Sequence, residues 1–221
     1  MTELSDRIRL IDALRGLSIL LMVVHHALYD AAAFLGAPWW LFSNVVFDYL
    51  HLVFAGTFIM LAGVSSRFSR SNVKRGLKTL VCAAVVTAVS WQVSLPIWFG
   101  ILHLMAFCML FYGLLRRWLD RVPHWAWVAL WATSLYVLDV APILPGLDIA
   151  SADWFPPLPW MFIFLLGTSV GAAIRDRKFP QWFYTFDVPV LPVIGRYTLW
   201  IYMLHQPVLY GIAQFIRAVA R

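Results

Sequence analysis

The 221-residue chain is 62% hydrophobic and 16% aromatic but only 13% charged, with a mean hydropathy of +0.78, and no water-exposed fold covers that much apolar surface. Its formal charge of +6 does not point to nucleic acid, because the basic residues fall between apolar runs and form no stripe interleaved with aromatics. Cys82 and Cys108 sit inside apolar runs, which argues against a disulfide framework or a metal site and makes them small packing residues.

Runs of about 20 apolar residues suit the thickness of a bilayer. They predict an all-α, polytopic membrane helix bundle of about seven transmembrane helices, near 10–29, 43–66, 76–95, 98–118, 124–142, 157–174 and 193–218. With no repeat or linker in view, 1–221 is expected to form a single transmembrane domain. The first run, between Arg9 and Ala31-Ala32-Ala33, looks superficially like a signal peptide, but it is long enough to span and carries Arg15 in its interior. A short interfacial segment is a further option near Trp182–Val190.

The connectors carry their basic residues in alternation. Arg7 and Arg9 precede the first helix; Arg67, Arg70, Lys74, Arg75 and Lys78 surround the second connector; Arg116, Arg117 and Arg121 the fourth; Arg175, Arg177 and Lys178 the sixth. The first, third and fifth connectors, Ala31–Trp40, Ser94–Ile97 and Ala141–Pro156, have none. Cytoplasmic loops collect Lys and Arg, so the N-terminus is expected in the cytosol and the C-terminus outside, where Arg217 and Arg221 are mild exceptions. Anionic membrane lipids are the expected partners of the basic loops.

A charged side chain in hydrocarbon costs roughly 2.5–3.5 kcal/mol on insertion scales and usually faces a partner or a polar cavity. The first helix holds Asp12, Arg15, His25 and His26, with Asp30 beyond them. Arg15 and His26 are eleven residues apart, which puts them within about 20° of one helix face and about 16 Å apart in depth. Asp12 to Arg15 and His26 to Asp30 are spaced as helix neighbours that meet. Either pair is open to a plainer reading, Asp12 with Arg15 as a helix-end ion pair and His26 with Asp30 as an interfacial one. His25 points about 100° away from His26 and is the weaker candidate.

On this topology His51, His103 and His205 all fall in the outer part of their helices. Singly, each reads as a hydrogen-bonded core histidine; together with His26 they suggest a polar cavity opening outward. His124, at a cytosolic helix end, reads as structural. Asp153, in the proline- and tryptophan-rich run to Trp160, is a candidate lid residue or part of an interfacial anchor. Arg196 follows Gly195 at the cytosolic start of the last helix and, with Arg15, offers two cations to an anion entering from inside.

At these residues the chain resembles the heparan-α-glucosaminide N-acetyltransferase-like membrane proteins, within a wider transmembrane acyltransferase superfamily. The matching runs are Arg9 to Gly16, His26 to Asp30, Phe58 to Ser65, Phe99 to His103, Asp153 to Trp160, and Gly195-Arg196 through His205-Gln206-Pro207. The resemblance implies transfer of an acetyl group from cytosolic acetyl-CoA, as co-substrate, to an amino sugar or glycan acceptor on the far side of the membrane. It also implies residence in a bacterial cytoplasmic (inner) membrane.

On that reading His26, His103, Asp30 and Asp153 are the catalytic candidates, while Asp12, Arg15, Arg196, His205 and His51 bind substrate or co-substrate. His26, oriented by Asp30, takes the proton of the attacking amine or hydroxyl, or His26 or His103 carries the acetyl group in relay. No metal is expected, and a homo-oligomer is left open. The alternatives are a haem protein ligated by two histidines and a small-solute transporter, the latter disfavoured by the lack of an inverted repeat. A retinal-type sensor is disfavoured because Lys74, Lys78 and Lys178 all fall at connectors.

Overall fold

A computed structural model describes residues 8–92, 96–140 and 153–219. Arg7, Arg221, Ser94 and most of the fifth connector lie outside them. Among the described residues the structure is helical: α1 (Arg9–Leu35), a 3-10 turn (Trp39–Leu41), α2 (Val45–Phe68), α3 (Asn72–Gln92), α4 (Ile101–Leu119), α5 (His124–Val140), α6 (Pro157–Arg175), α7 (Gln181–Thr185), α8 (Leu191–Arg196) and α9 (Thr198–Val219). Each of the seven expected runs contains a helix. Among the described residues four stretches, Arg9–Leu35, Trp39–Phe68, Ile101–Leu119 and Pro157–Arg175, are long and apolar enough to cross a membrane.

The ends differ from expectation for local reasons. The first helix continues past residue 29 because Ala31, Ala32 and Ala33 are strong helix formers, and it stops where Gly36 adopts φ +75°. The Ala37 N–H then donates to the Ala31 carbonyl at 3.1 Å. Asn44 starts α2 by accepting the Phe47 N–H on its side-chain oxygen at 3.1 Å. The last expected run is divided, α8 ending at Arg196 and α9 beginning at Thr198. The segment near Trp182 contains the short helix α7.

The chain forms two compact units, Met1–Phe58 with Phe179–Arg221, and Ile59–Lys178. In the first, α1 packs on α8 and α9. Its closest approach is made by glycines: a Cβ on Gly16 would collide with the Leu191 carbonyl oxygen, and one on Gly195 with that of Asp12. Close backbone contact of this kind replaces the hydrophobic effect as the glue between helices in lipid. The Arg9 guanidinium donates to the Asp187 carboxylate and ties the start of α1 to the segment before α8.

In the second unit α3 packs on α4, α5 on α6, and α4 on α6. Gly63 on α2 and Gly167 on α6 face each other so closely that a Cβ on either would strike the opposite backbone, at Phe164 or Met60 respectively. Tyr112, Phe164, Leu104, Leu165 and Val64 fill the core. Arg67 donates to the Tyr112 hydroxyl at 2.9 Å and pairs with Asp120 at 2.5 Å, while Tyr112 donates to Asp120 at 2.9 Å. Burial pushes the Asp120 carboxyl up, but these hydrogen bonds outweigh it and hold the group below the usual carboxylate range.

Large apolar side chains cover the outside of both units, Leu114 and Val219 each being 72% exposed, as lipid-facing helices require. The glycine contacts generate a test. Gly16→Val and Gly195→Val are each expected to destabilise the protein by about 1–3 kcal/mol through overpacking. Gly211, which has open space beside it, is expected to tolerate Ala with no loss, since alanine is the better helix former by about 1 kcal/mol. Apparent unfolding temperatures in detergent micelles measure all three.

Candidate functional site

In the first unit, α1 and α9 bring four polar side chains together. His26 and His205 meet edge to face with ring centroids 4.9 Å apart. One turn further along α1, Asp30 accepts two hydrogen bonds from the Gln206 amide nitrogen, at 3.0 and 3.2 Å. Asp30 is only 3% exposed, so a hydrogen-bond partner is a condition of burying its carboxyl group in an apolar region. The pairing differs from the expected His26–Asp30 contact. His26 instead points Nδ1 at the Met22 carbonyl, 3.0 Å away on its own helix.

These contacts set the tautomers. A carbonyl oxygen only accepts, so His26 Nδ1 carries the proton and Nε2 presents a lone pair. His205 Nδ1 lies 2.7 Å from the Tyr202 carbonyl and is protonated for the same reason. In the neutral form that tautomer leaves Nε2 with the lone pair a general base needs.

His51 joins the same unit. Its ring stacks on His25 at 4.5 Å with 10° between planes, and His25 lies 5.9 Å from His26 edge to face. Four imidazoles from α1, α2 and α9 therefore lie in one row. At the other end of α1, Arg15 donates to Asp12 at 2.9 Å, and Asp12 is 3% exposed, so the expected ion pair is present and buried. Arg196 is exposed at the end of α8.

His103 and Asp153 belong to the second unit and meet around the start of α4. Gly100, before that helix, has no side chain with which to cap it. Asp153 does so, accepting the Ile101 N–H at 3.1 Å. His103 Nδ1 accepts the Gly100 N–H at 3.3 Å, so the ring proton resides on Nε2. From there it is donated to Thr87 Oγ1 at 3.2 Å, whose own hydroxyl donates to the Ile97 carbonyl at 2.8 Å. The Phe155 N–H completes the joint by donating to the Phe99 carbonyl at 2.9 Å. A methyl group at position 100 would collide with the Asp153 carboxylate.

Ionisable residues taken along single helices do not reveal the roles of Gln206 and Thr87 or the place of His25, which depend on contacts between helices. Gln206 had a signal, an amide beside His205 within an apolar run, and amides become anchors in lipid as carboxylates do. Among the described residues, no group of three or more His, Cys, Asp or Glu side chains is placed to hold a metal ion.

The capping geometry predicts that Asp153→Ala costs about 1 kcal/mol of stability, within the usual 0.5–2 for a lost helix cap. Asp153→Asn, which keeps an accepting oxygen, should recover most of it. Unfolding curves in mixed micelles read the difference.

The catalytic-domain profile of the heparan-alpha-glucosaminide N-acetyltransferase family matches residues 7–207. No curated protein and no solved structure matches the chain. The family match extends from the entrance of α1 to Pro207 in α9 and takes in Arg15, His26, Asp30, His103, Asp153 and Gln206. The chain is thus a helical integral membrane protein that belongs to the heparan-alpha-glucosaminide N-acetyltransferase family.

Proposed function

We propose that this protein transfers the acetyl group of cytosolic acetyl-CoA to an amine or hydroxyl of an amino-sugar or glycan acceptor on the outer side of a cytoplasmic membrane. The observation that carries the reading is His26, whose Nδ1 lies 3.0 Å from the Met22 carbonyl, so that in the neutral ring Nδ1 holds the proton and Nε2 is the basic atom. It stands beside a buried carboxylate and a second imidazole in a helical membrane protein of an N-acetyltransferase family. Seven spans with the N-terminus inside belong to the same proposal, supported by the alternation of basic connectors.

In the reaction, His26 Nε2 accepts the proton of the acceptor N–H or O–H as its lone pair attacks the thioester carbonyl. The carbon–sulfur bond breaks, and the departing thiolate takes the proton back from the imidazolium. Asp30, held by Gln206, lies one turn away and favours the transient positive charge on the ring. Arg196 and Arg15 are assigned to the phosphates of CoA near the opposite end of α1, with Asp12 holding Arg15 in place. His205 and His51, at the two ends of the imidazole row, are assigned to the acceptor.

The base is assigned to His26 in preference to His103 because both ring nitrogens of His103 are engaged in the α4 cap. Asp153 supports the reaction by fixing that helix start. An acetyl-histidine relay, if it operates, uses His26 Nε2 on the same grounds.

Purified protein given radiolabelled acetyl-CoA and glucosamine tests the assignment. His26→Ala is expected to lower transfer by about 10²–10⁴-fold, the usual contribution of a general base. His103→Ala is expected to lose stability while its folded fraction keeps turning over. Unchanged transfer in His26→Ala rejects the assignment.

A further inference from the structure

Two buried acceptor atoms beside His26 and Asp30 have no hydrogen-bond donor among the described residues: Nε2 of His205 and Oε1 of Gln206. Both are acceptors by their surroundings. His205 places its ring proton on Nδ1, against the Tyr202 carbonyl, so Nε2 of the neutral ring offers a lone pair. Gln206 is oriented just as firmly, because the reverse amide rotamer would set its oxygen against both Asp30 carboxylate oxygens, to which the nitrogen now donates. An acceptor buried without a donor costs about 1–3 kcal/mol. Two of them on consecutive residues, next to the proposed base, constitute a demand for donors.

We propose that His205 Nε2 and Gln206 Oε1 form the donor-reading edge of the acceptor site, and that Gln206 is also the positioning residue that holds Asp30. The ligand chemistry is a compound with N–H or O–H groups flanking its nucleophile, which satisfy the two atoms on binding. A site built in this way rejects analogues that lack a donor, because binding them leaves the acceptors unpaired in a dry environment. The same amide does both jobs: its nitrogen anchors Asp30 and its oxygen reads the ligand. The inference rests on the acetyltransferase reading for the identity of the nucleophile, but the donor preference is measurable without turnover.

The experiment is calorimetric titration of glucosamine into detergent-purified protein, repeated with acetyl-CoA as the titrant, for wild type, His205→Phe and Gln206→Met. Each substitution is expected to weaken glucosamine binding by at least about tenfold, the worth of one buried hydrogen bond, with acetyl-CoA binding unchanged. His205→Phe leaves the Asp30–Gln206 contact intact and keeps a planar ring beside His26, so it carries the test if Gln206→Met does not fold. Because it also removes the Nδ1 contact with the Tyr202 carbonyl, its unfolding temperature is measured alongside and binding is compared where each variant is fully folded, so that a loss confined to glucosamine, with acetyl-CoA binding kept, is the readout a purely structural role would not give. Wild-type protein that does not bind glucosamine, or His205→Phe that binds it as tightly as wild type, overturns the inference. Donor-dependent binding without acetyl transfer sustains the inference while rejecting the acetyltransferase reading.

Discussion

A carboxyl group buried inside an apolar helix bundle must find hydrogen-bond partners, and the backbone N–H groups of its own helix are already engaged. Asp30 meets that constraint with Gln206, 176 residues later in the chain. Much of the first unit follows from this link. It brings α9 against α1 at one defined register, and at that register His205 falls beside His26. The glycine pair at Gly16 and Gly195 acts at the other end of the same helix, where α8 approaches α1 closely enough that no side chain fits between them. One end of α1 is thus held by backbone proximity and the other by the hydrogen bonds between Gln206 and Asp30.

The second unit solves a different problem with the same economy of residue types. A helix that begins after a glycine lacks a local cap, and α4 obtains one from Asp153, 52 residues away. His103 and Thr87 extend that cap into a chain of hydrogen bonds whose directions are set by a single fact, that the Gly100 N–H donates to the ring. Elsewhere in the unit, Arg67, Tyr112 and Asp120 close a partly buried polar triangle. In each case a polar side chain in an apolar setting is explained by a named partner, which is the condition for such groups to be tolerated at all.

The helical architecture was readable from the apolar runs because a span needs little more than length and hydropathy. Helix ends were less readable: the alanine run after Tyr29 continues α1 through a stretch that looked like a connector, until Gly36 ends it. Spacing along a single helix correctly brought Asp12 to Arg15. The same rule also suggested His26 with Asp30, and there a residue from another helix took the carboxylate. Intrahelical spacing says which neighbours are within reach, not which competitor from elsewhere reaches first. His25 illustrates the converse, since its rotation away from His26 directs it onto His51. Gln206 appears in the sequence only as part of the run that carries the family resemblance; its role is not legible there, because which carboxylate an amide serves depends on the packing of α9 against α1.

In the proposed function acetyl transfer crosses the membrane, with the donor taken up on one side and the acceptor on the other. The most direct measurement uses proteoliposomes with glucosamine sealed inside and radiolabelled acetyl-CoA added outside. The account predicts labelled N-acetylglucosamine in the lumen, formed by the fraction of molecules whose acetyl-CoA side faces out. Label appearing only after the vesicles are permeabilised, with none in the lumen of sealed ones, would contradict it.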